Sequence, residues 1–261
     1  MIIVINYLKN FWRYKGLLHE FIVRDLKIKY RRSFLGYLWS LLNPLLMMVV
    51  LIAVFSNIFR FDIPNFPVYL LAGQIIFNFF AESTSLAMNS ILSVGPLIKK
   101  VYIPKYIFPL SRVISSFITL LFSLVAMVIV ILFTGAPITP ELLFFPLPLF
   151  YILMFSIGVG LIMSVLAVYF RDMLHLYTVL ISAWTYLTPI FYPVNVVPDY
   201  VKSIIYANPM YYFVEAFRDV VLYSRFPDLQ TNMACLAFAT LSIVLGLLIF
   251  YKNQHKFVFH I

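Results

Sequence analysis

KNFWRYKGLLHEFIVRDLKIKYRR, residues 9–32, is followed after two residues by the apolar run LGYLWSLLNPLLMMVVLIAVF, residues 35–55. The first stretch holds eight of the 19 Lys and Arg residues of the chain, whereas the second holds no charged residue. Loops on the cytoplasmic side of a membrane retain Lys and Arg. The two stretches together predict a membrane protein whose basic N-terminal segment lies on the cytoplasmic face.

The composition of the whole chain also indicates a membrane protein. Of its 261 residues, 63% are hydrophobic and 11% are charged, whereas a soluble domain is about half apolar and about a quarter charged. A helix needs about 20 apolar residues to cross a hydrocarbon core of about 30 Å. We therefore predict an all-α integral membrane protein with six transmembrane helices. Their approximate bounds are 35–59, 68–92, 107–133, 142–170, 174–190 and 233–251.

The charges divide unequally between the two sides of this predicted bundle. When loops are assigned alternately, the inner side holds fifteen basic and three acidic residues, and the outer side holds four basic and six acidic residues. This division predicts that both termini are cytoplasmic. It also attributes the net charge of +9 to membrane topology, so nucleic acid is not an expected partner.

We expect a single transmembrane domain over residues 1–261. It divides into a cytoplasmic amphipathic segment (1–33), a six-span bundle (34–251) and a cytoplasmic tail (252–261). The apolar start at residues 1–5 is shorter than the ~7–15-residue apolar core of a signal peptide, so no secretory signal is expected.

Residues 17–32 form a predicted amphipathic helix. At about 100° per residue its charged side chains share one face, and Leu18, Ile22 and Leu26 lie roughly opposite. Such a helix either lies in the membrane interface, attracted to anionic lipid, or docks a soluble partner. The charged face consists of Glu20, Arg24, Lys27 and Arg31.

A second basic element lies between the second and third spans. Pro96 and Pro104 bracket about two helical turns, because proline suits the first helical position and cannot continue a helix. This short helix presents Lys99 and Lys100 to the cytoplasm. It is either a plain basic loop or a socket for a soluble partner.

The second span carries a stripe of polar residues. Asn78, Glu82, Ser85 and Asn89 recur at helical spacing and so line one face. Polar groups that face lipid find no hydrogen-bond partner, so this face is expected to meet protein or a water-filled path. Glu82 is the acid placed well inside a span, and it serves either a pathway or a hydrogen bond to a neighbouring helix.

The segment 188–230 differs from the rest because it contains five prolines. We predict two short amphipathic helices there, at about 199–206 and 210–223, that form an outer cap or gate. Its candidate residues are Tyr206, Tyr211, Tyr212, Glu215 and Arg218.

The fourth span contains Ser156, Gly160 and Ser164 at four-residue spacing. Small residues on one face allow two helix backbones to approach closely in a membrane. We therefore predict a close helix–helix contact along this face.

Catalytic and cofactor-binding patterns are absent from the sequence. The phosphate-binding pattern Gly-x4-Gly-Lys-Ser/Thr does not occur, so ATP is not expected to bind by that route. The four histidines are scattered without metal-ligand spacing, and the lone Cys235 forms no internal disulfide. We expect no catalytic residue, no metal and no cofactor on this chain.

Several short strings follow one another in a recognisable order. As a set they closely resemble the permease subunits of type-2 ABC exporters, in particular the group that moves O-antigen, capsular or teichoic-acid polysaccharides. The resemblance extends over residues 17–251. The strings are RDLKIKYRRSFLGYLW at 24–39, LNPL at 42–45, YFRD at 169–172, TPIFYP at 188–193, NPM at 208–210 and EAFR at 215–218.

This resemblance implies a homodimer of six-span subunits in the bacterial inner membrane, joined to two separate ATP-binding cassette subunits that hold ATP and Mg. The cargo would be a lipid-linked polysaccharide. The family implies that residues 17–32 and 96–103 contact the ATPase. It also implies that short re-entrant helices between spans five and six, here 197–223, gate the outer exit.

The lining of such a pathway follows from the chemistry of the cargo. An unpaired hydroxyl in an apolar medium costs several kcal/mol, so the path must be wet or lined with hydrogen-bonding groups such as the polar stripe. Aromatic rings suit the apolar faces of sugars, although each ring has a packing or lipid-facing role as its alternative. The aromatic candidates are Tyr37, Trp39, Trp184, Tyr186, Phe191 and Tyr192.

Two other functions are compatible with parts of the sequence. An ABC exporter of a small molecule or drug would use the same fold. A membrane-embedded glycosyl- or acyltransferase would need an acid or histidine constellation near the bilayer, where only the isolated Glu82 is deeply placed.

Overall fold

The computed structural model describes residues 2–30, 35–58 and 63–260, so Arg31 of the predicted docking face lies outside the described residues. Within these ranges the chain forms α-helices and short 3-10 helices joined by turns, with no strand, which confirms the all-α class. The α-helices are α1 (Ile2–Tyr30), α2 (Trp39–Ile58), α3 (Phe66–Ser93), α4 (Gly95–Lys100), α5 (Ile107–Thr134), α6 (Pro146–Tyr169), α7 (Met173–Leu187), α8 (Asp199–Ala207), α9 (Pro209–Val221), α10 (Leu229–Asn253) and α11 (Phe257–His260).

Four helical segments in the described part of the chain are long and apolar enough to cross a membrane. The two other predicted spans correspond to α3 and α7. Helix α3 has 28 residues, but its polar face lowers its hydropathy. Helix α7 has 15 residues and extends about 22 Å, less than a hydrocarbon core of about 30 Å. The four segments are Gly36–Val54, Ile107–Thr134, Pro140–Tyr169 and Leu229–His260.

Local signals in the sequence explain where several helices begin and end. The side chain of Asn65 accepts a hydrogen bond from the backbone N–H of Val68 and caps α3. Asn208 caps α9 in the same way, with Pro209 at the first helical position, where its missing N–H is not needed. Gly135 ends α5 with φ of 65°, a left-handed conformation that glycine adopts without strain.

Helix α3 lies at the centre of the bundle and packs against α5, α6 and α9. Gly160 of α6 faces it, because a Cβ at Gly160 would lie 2.9 Å from the Cβ of Ala87. This confirms the close contact predicted for the small-residue face, and Ser156 and Ser164 on that face are buried.

Helices α6 and α10 approach even more closely. A Cβ built on Gly158 would lie 2.3 Å from the carbonyl carbon of Ser242, and one built on Gly246 would lie 2.5 Å from the carbonyl oxygen of Gly158. Glycine is therefore required at both positions for the helices to keep this separation. The sequence analysis did not identify this crossing.

Helix α1 is longer than the predicted helix, and its apolar side contacts protein. Leu18 and Phe21 are buried, and the Phe21 ring centroid lies 5.3 Å from that of Phe108 on α5. Leu18 of the predicted apolar face therefore packs within the chain rather than against lipid, and Ile22 and Leu26 of that face are half-buried. On the opposite side Glu20 and Lys27 are exposed, as predicted.

The outer segment follows the prediction closely. The helices predicted at 199–206 and 210–223 are confirmed as α8 and α9. Helix α9 packs against α3, α6 and α10, and most of its residues are buried. It is therefore part of the packed bundle rather than a solvated linker.

Candidate functional site

A cavity of about 530 Å³ lies between α2, α3 and α5, with the end of α1 beside it. Hydrogen-bonding side chains from all three helices face this space. The described residues that line it are Lys29, Trp39, Ser40, Asn43, Pro44, Met47, Ile75, Asn78, Phe79, Ala81, Glu82, Ser116, Thr119, Leu120 and Ser123.

Pro44 shapes the α2 wall of this cavity. Proline has no N–H, so the carbonyl four residues earlier, that of Ser40, loses its helical partner. The hydroxyl of Ser123 on α5 donates to the Ser40 carbonyl at 3.1 Å, and Ser40 Oγ donates to the Tyr37 carbonyl at 2.6 Å. The helix thus continues through Pro44, and its freed acceptor joins α2 to α5.

Glu82 on α3 forms an ion pair with Lys29 near the end of α1. Each side chain keeps more than a third of its surface exposed, and both line the cavity. Glu82 lies 11 residues before the end of α3, which places it about 16 Å along the helix from that end. The residue therefore contacts a neighbouring helix and also borders the candidate pathway.

The cavity brings together Trp39, Asn78 and Glu82 of the predicted pathway residues. Asn78 and Asn89 are exposed and Ser85 is half-buried, so the polar face of α3 continues along the helix beyond the cavity. Among the residues that the structure describes, none covers the side chains of Asn78 and Asn89.

The predicted aromatic lining is dispersed. The Tyr37 ring centroid lies 5.9 Å from that of Phe122, Tyr186 is exposed, and Tyr192 donates a hydrogen bond to the Tyr186 carbonyl at 2.7 Å. Phe191 is half-buried, with its ring centroid 6.3 Å from that of Tyr186. The structure does not bring these residues to the cavity.

Arg218 holds the backbone at residues 188–193 in place through hydrogen bonds. Its side chain is 1% exposed and donates to the carbonyls of Pro189 at 2.8 Å and Ile190 at 3.2 Å. It also donates to the Tyr69 carbonyl at 3.2 Å, and the guanidinium carbon lies 3.4 Å from the centroid of the Tyr69 ring. The structure gives Arg218 a packing role, and its role in a gate stays a prediction.

Asn208 also links separate segments in the same region through hydrogen bonds. Its Oδ1 accepts a hydrogen bond from Trp184 Nε1 at 2.7 Å and another from the Met210 N–H at 2.9 Å. Its amide nitrogen donates to Thr188 Oγ1 at 3.0 Å. Trp184 therefore joins α7 to the start of α9 rather than lining the cavity.

The remaining gate candidates form an aromatic group on α8 and α9. The Tyr211 ring centroid lies 5.5 Å from that of Tyr206 and 5.1 Å from that of Tyr212. Tyr212 donates to the Tyr206 carbonyl at 2.9 Å, and Glu215 lies 3.9 Å from Arg218. These residues are close together, as a cap would require, and gating itself stays a prediction.

A second cavity, of about 640 Å³, opens near α4. Lys99, Lys100 and Arg171 line it and are all exposed. Behind α4, the Lys105 ammonium donates to the Gln254 carbonyl at 2.6 Å, and burial lowers the pKa of this lysine. Helix α4 thus presents cations outward while α11 packs against it.

Helix α1 is held on the bundle by an ion pair with α5. Asp25 is buried and lies 3.0 Å from Arg112 of α5 and 3.2 Å from Arg24 of its own helix. Arg24, a predicted docking residue, is therefore engaged within the chain. Lys27 keeps an exposed position.

Comparison with known proteins identifies the family. Residues 17–222 match the family model described as ABC-2 type transporter. The chain belongs to the ABC-2 type transporter family. Membership makes it a subunit of a membrane transporter that crosses the membrane several times and works with an ATP-binding subunit.

Curated relatives of this ABC-2 transporter subunit are similar along nearly their whole length. The O-antigen export system permease protein RfbA of Myxococcus xanthus is 30% identical over 256 residues, which cover 97% of this chain and 98% of the relative. RfbA of Klebsiella pneumoniae is 31% identical over 93% of this chain and 95% of the relative. The polysialic acid transport protein KpsM of Escherichia coli is 24% identical over 92% of this chain and 94% of the relative.

Several residues that line the cavity of this ABC-2 transporter subunit were not among the residues predicted from the sequence. Ser116, Thr119 and Ser123 recur at spacings of three and four on α5, which is a helical-face signal that identifies a polar wall. Lys29 carried no such signal, because its partner Glu82 is 53 residues away in sequence.

Proposed function

We propose that this chain is the membrane-spanning subunit of an ATP-driven exporter that moves a lipid-linked polysaccharide, of the O-antigen type, from the cytoplasmic side across the bacterial inner membrane. The observation that carries this proposal is similarity over 93% or more of the chain to proteins named as O-antigen export permeases. A cavity lined by amide and hydroxyl groups between membrane helices is consistent with a carbohydrate cargo.

The proposal includes a six-span topology in a single domain over residues 1–261. Helices α3 and α7 supply the spans beyond the four apolar ones, and the polar face of α3 is acceptable if it borders a wet path rather than lipid. The basic residues of α1 and α4 support cytoplasmic termini. Helices α8 and α9 would then be re-entrant helices that enter the membrane from the outer side and return to the same side.

The proposal also includes a second copy of this chain and two ATP-binding cassette subunits, which would hold ATP and Mg. Asn78 and Asn89 are polar, exposed on the single chain and located on a membrane helix. They need water or protein as partners, and a pathway closed by a second copy supplies either. The exposed cations on α1 and α4 are suited to steer and orient an ATPase.

In this mechanism the chain supplies hydrogen bonds and movement. Hydroxyl groups of the glycan give up hydrogen bonds to water and form hydrogen bonds to the amides of Asn43 and Asn78 and to the hydroxyls of α5. No step therefore leaves a buried polar group unpaired. When the ATPase moves α1, the movement is transmitted directly to α3, which forms a wall of the pathway, because Lys29 on α1 is paired with Glu82 on α3.

The test is transport by the reconstituted complex. The chain is co-expressed with its ATP-binding partner and placed in vesicles that contain a fluorescent lipid-linked glycan on the ATP-accessible side. We expect ATP-dependent passage of the glycan into a compartment protected from added glycosidase, and none with a hydrolysis-deficient partner. ATP-dependent passage of a small dye without passage of the glycan would favour the small-molecule exporter and overturn the proposal.

A further inference from the structure

The geometry points to a carbohydrate subsite in the cavity between α2, α3 and α5 that accepts uncharged sugar residues and excludes acidic ones. This inference rests on the proposed function and adds a substrate class to it. The cavity, about 530 Å³ in volume, lies within the range of about 300–1,000 Å³ that is usual for small-molecule sites. It has room for a short segment of a glycan rather than a whole polymer.

The walls provide the two kinds of contact that a sugar ring needs. Trp39 is 44% exposed, so its indole is available to stack on the apolar face of a ring. Asn43, Asn78 and Thr119 present amides and a hydroxyl to the same space. A ring that stacks on Trp39 can therefore direct its hydroxyl groups toward hydrogen-bonding partners.

Ser116 adds a polar side chain to the α5 wall of this cavity. The residue is 4% exposed and lines the cavity, yet its Oγ has no hydrogen-bond partner within the described structure. A buried hydroxyl without a partner costs free energy. Because the Oγ atom is itself buried, a sugar hydroxyl pairs with it only when the Ser116 side chain rotates into the cavity.

The charges of the site determine which sugars fit. Among the described lining residues, Lys29 and Glu82 are the only charged ones, and they are paired with each other, so the charges of the described lining cancel. An acidic sugar would bring a second carboxylate beside Glu82, whereas Lys29, the cation of the described lining, is already engaged with Glu82. One of the two carboxylates would be left uncompensated, and this like-charge placement acts against the acidic ligand.

The test measures binding of two matched sugars to the purified complex in lipid nanodiscs. The probes are maltotetraose, which is neutral, and tetragalacturonate, which has one carboxylate on each ring. Binding is followed by tryptophan fluorescence, and the Trp39→Phe variant identifies the part of the signal that comes from the cavity. We expect the wild type to prefer maltotetraose and the Trp39→Phe variant to lose the response.

Variants of the ion pair give the decisive comparison. Glu82→Gln removes the carboxylate of the described lining and is expected to shift the preference toward tetragalacturonate by about tenfold or more. Lys29→Gln is expected to shift it the opposite way. The double variant Lys29→Glu with Glu82→Lys keeps a neutral pair and is expected to retain the wild-type preference.

The outcomes distinguish a failure of the proposed subsite from a failure of the proposed transport function. The inference is overturned if the wild type binds the two sugars equally. It is also overturned if neither Glu82→Gln nor Lys29→Gln changes the preference. Absence of any Trp39 response in a complex that still transports lipid-linked glycan would also overturn it and leave the proposed function intact. The expected preferences in a complex that fails to transport glycan would support the subsite and count against the proposed function.

Discussion

Arg218 shows how much a single residue contributes to this fold. Its fork of N–H groups reaches three carbonyls on two separate segments, which the single ammonium of lysine cannot reproduce. We predict that Arg218→Met lowers the free energy of unfolding by about 3 kcal/mol or more, because it removes the hydrogen bonds that the buried guanidinium donates to these three carbonyls. The measurement is the thermal unfolding midpoint of the detergent-solubilised protein.

The matched control is Lys202→Met, which removes a cation from the same outer segment. Lys202 pairs with Asp199 at 2.9 Å, and the Asp199 side chain is 96% exposed. Such surface pairs contribute little to stability, because water screens the attraction. If the two variants unfold at the same temperature, the structural role assigned to Arg218 is wrong.

Only some of the contacts of Arg218 could be predicted from the sequence. Three-residue spacing makes Arg218 and Glu215 neighbours on a helix, and they lie 3.9 Å apart. Its main partners, the carbonyls of Tyr69 and Pro189, are 149 and 29 residues away. Backbone acceptors carry no residue-type signal, so contacts of this kind depend on the tertiary fold.

At the scale of elements, the crossing of α6 and α10 depends on backbone approach. We predict that Gly158→Ala destabilises the protein by about 3 kcal/mol or prevents its folding, because the new methyl group would lie 2.3 Å from the backbone of Ser242 and neither helix can yield without moving. The yield of monodisperse protein and its unfolding midpoint measure the effect.

Gly16→Ala is the matched control on α1. Apart from the local backbone of α1, no described atom lies within 4 Å of the Cβ that alanine would add there, and alanine is about 0.5–1 kcal/mol more favourable than glycine inside a helix. We expect this variant to be as stable as the wild type or slightly more stable. A Gly158→Ala variant of equal stability would show that the helices are not in backbone contact.

Most elements could be predicted from the sequence because hydropathy and proline act locally. The third predicted span, 107–133, corresponds to α5 (Ile107–Thr134), and the outer helices match α8 and α9. The start of α1 could not be predicted from its amphipathic pattern, because the helix continues through Gly16, whose cost of about 1 kcal/mol does not end a helix. The side on which α1 packs depends on α5, and an amphipathic pattern alone does not distinguish protein from lipid.

At the scale of the whole molecule, the exposed cations on α1 and α4 are predicted to receive the ATP-binding subunit. The predicted docking face includes Arg24 and Lys27, but Arg24 is paired with the buried Asp25, so its replacement would disturb the subunit itself. Lys27 and Lys100 are both exposed. The double variant Lys27→Glu with Lys100→Glu therefore tests docking with less risk to the fold.

We expect this double variant to co-purify with less ATP-binding subunit than the wild type, and the wild-type association to weaken at high salt, because ions screen charges that meet at a wet interface. Lys202→Glu reverses a cation on the predicted outer side and is expected to leave association unchanged. If reversal at Lys202 weakens association while reversal at Lys27 and Lys100 does not, the ATPase binds the opposite face. The inside–outside assignment of the bundle would then be inverted, and with it the direction in which the cavity opens toward the cargo.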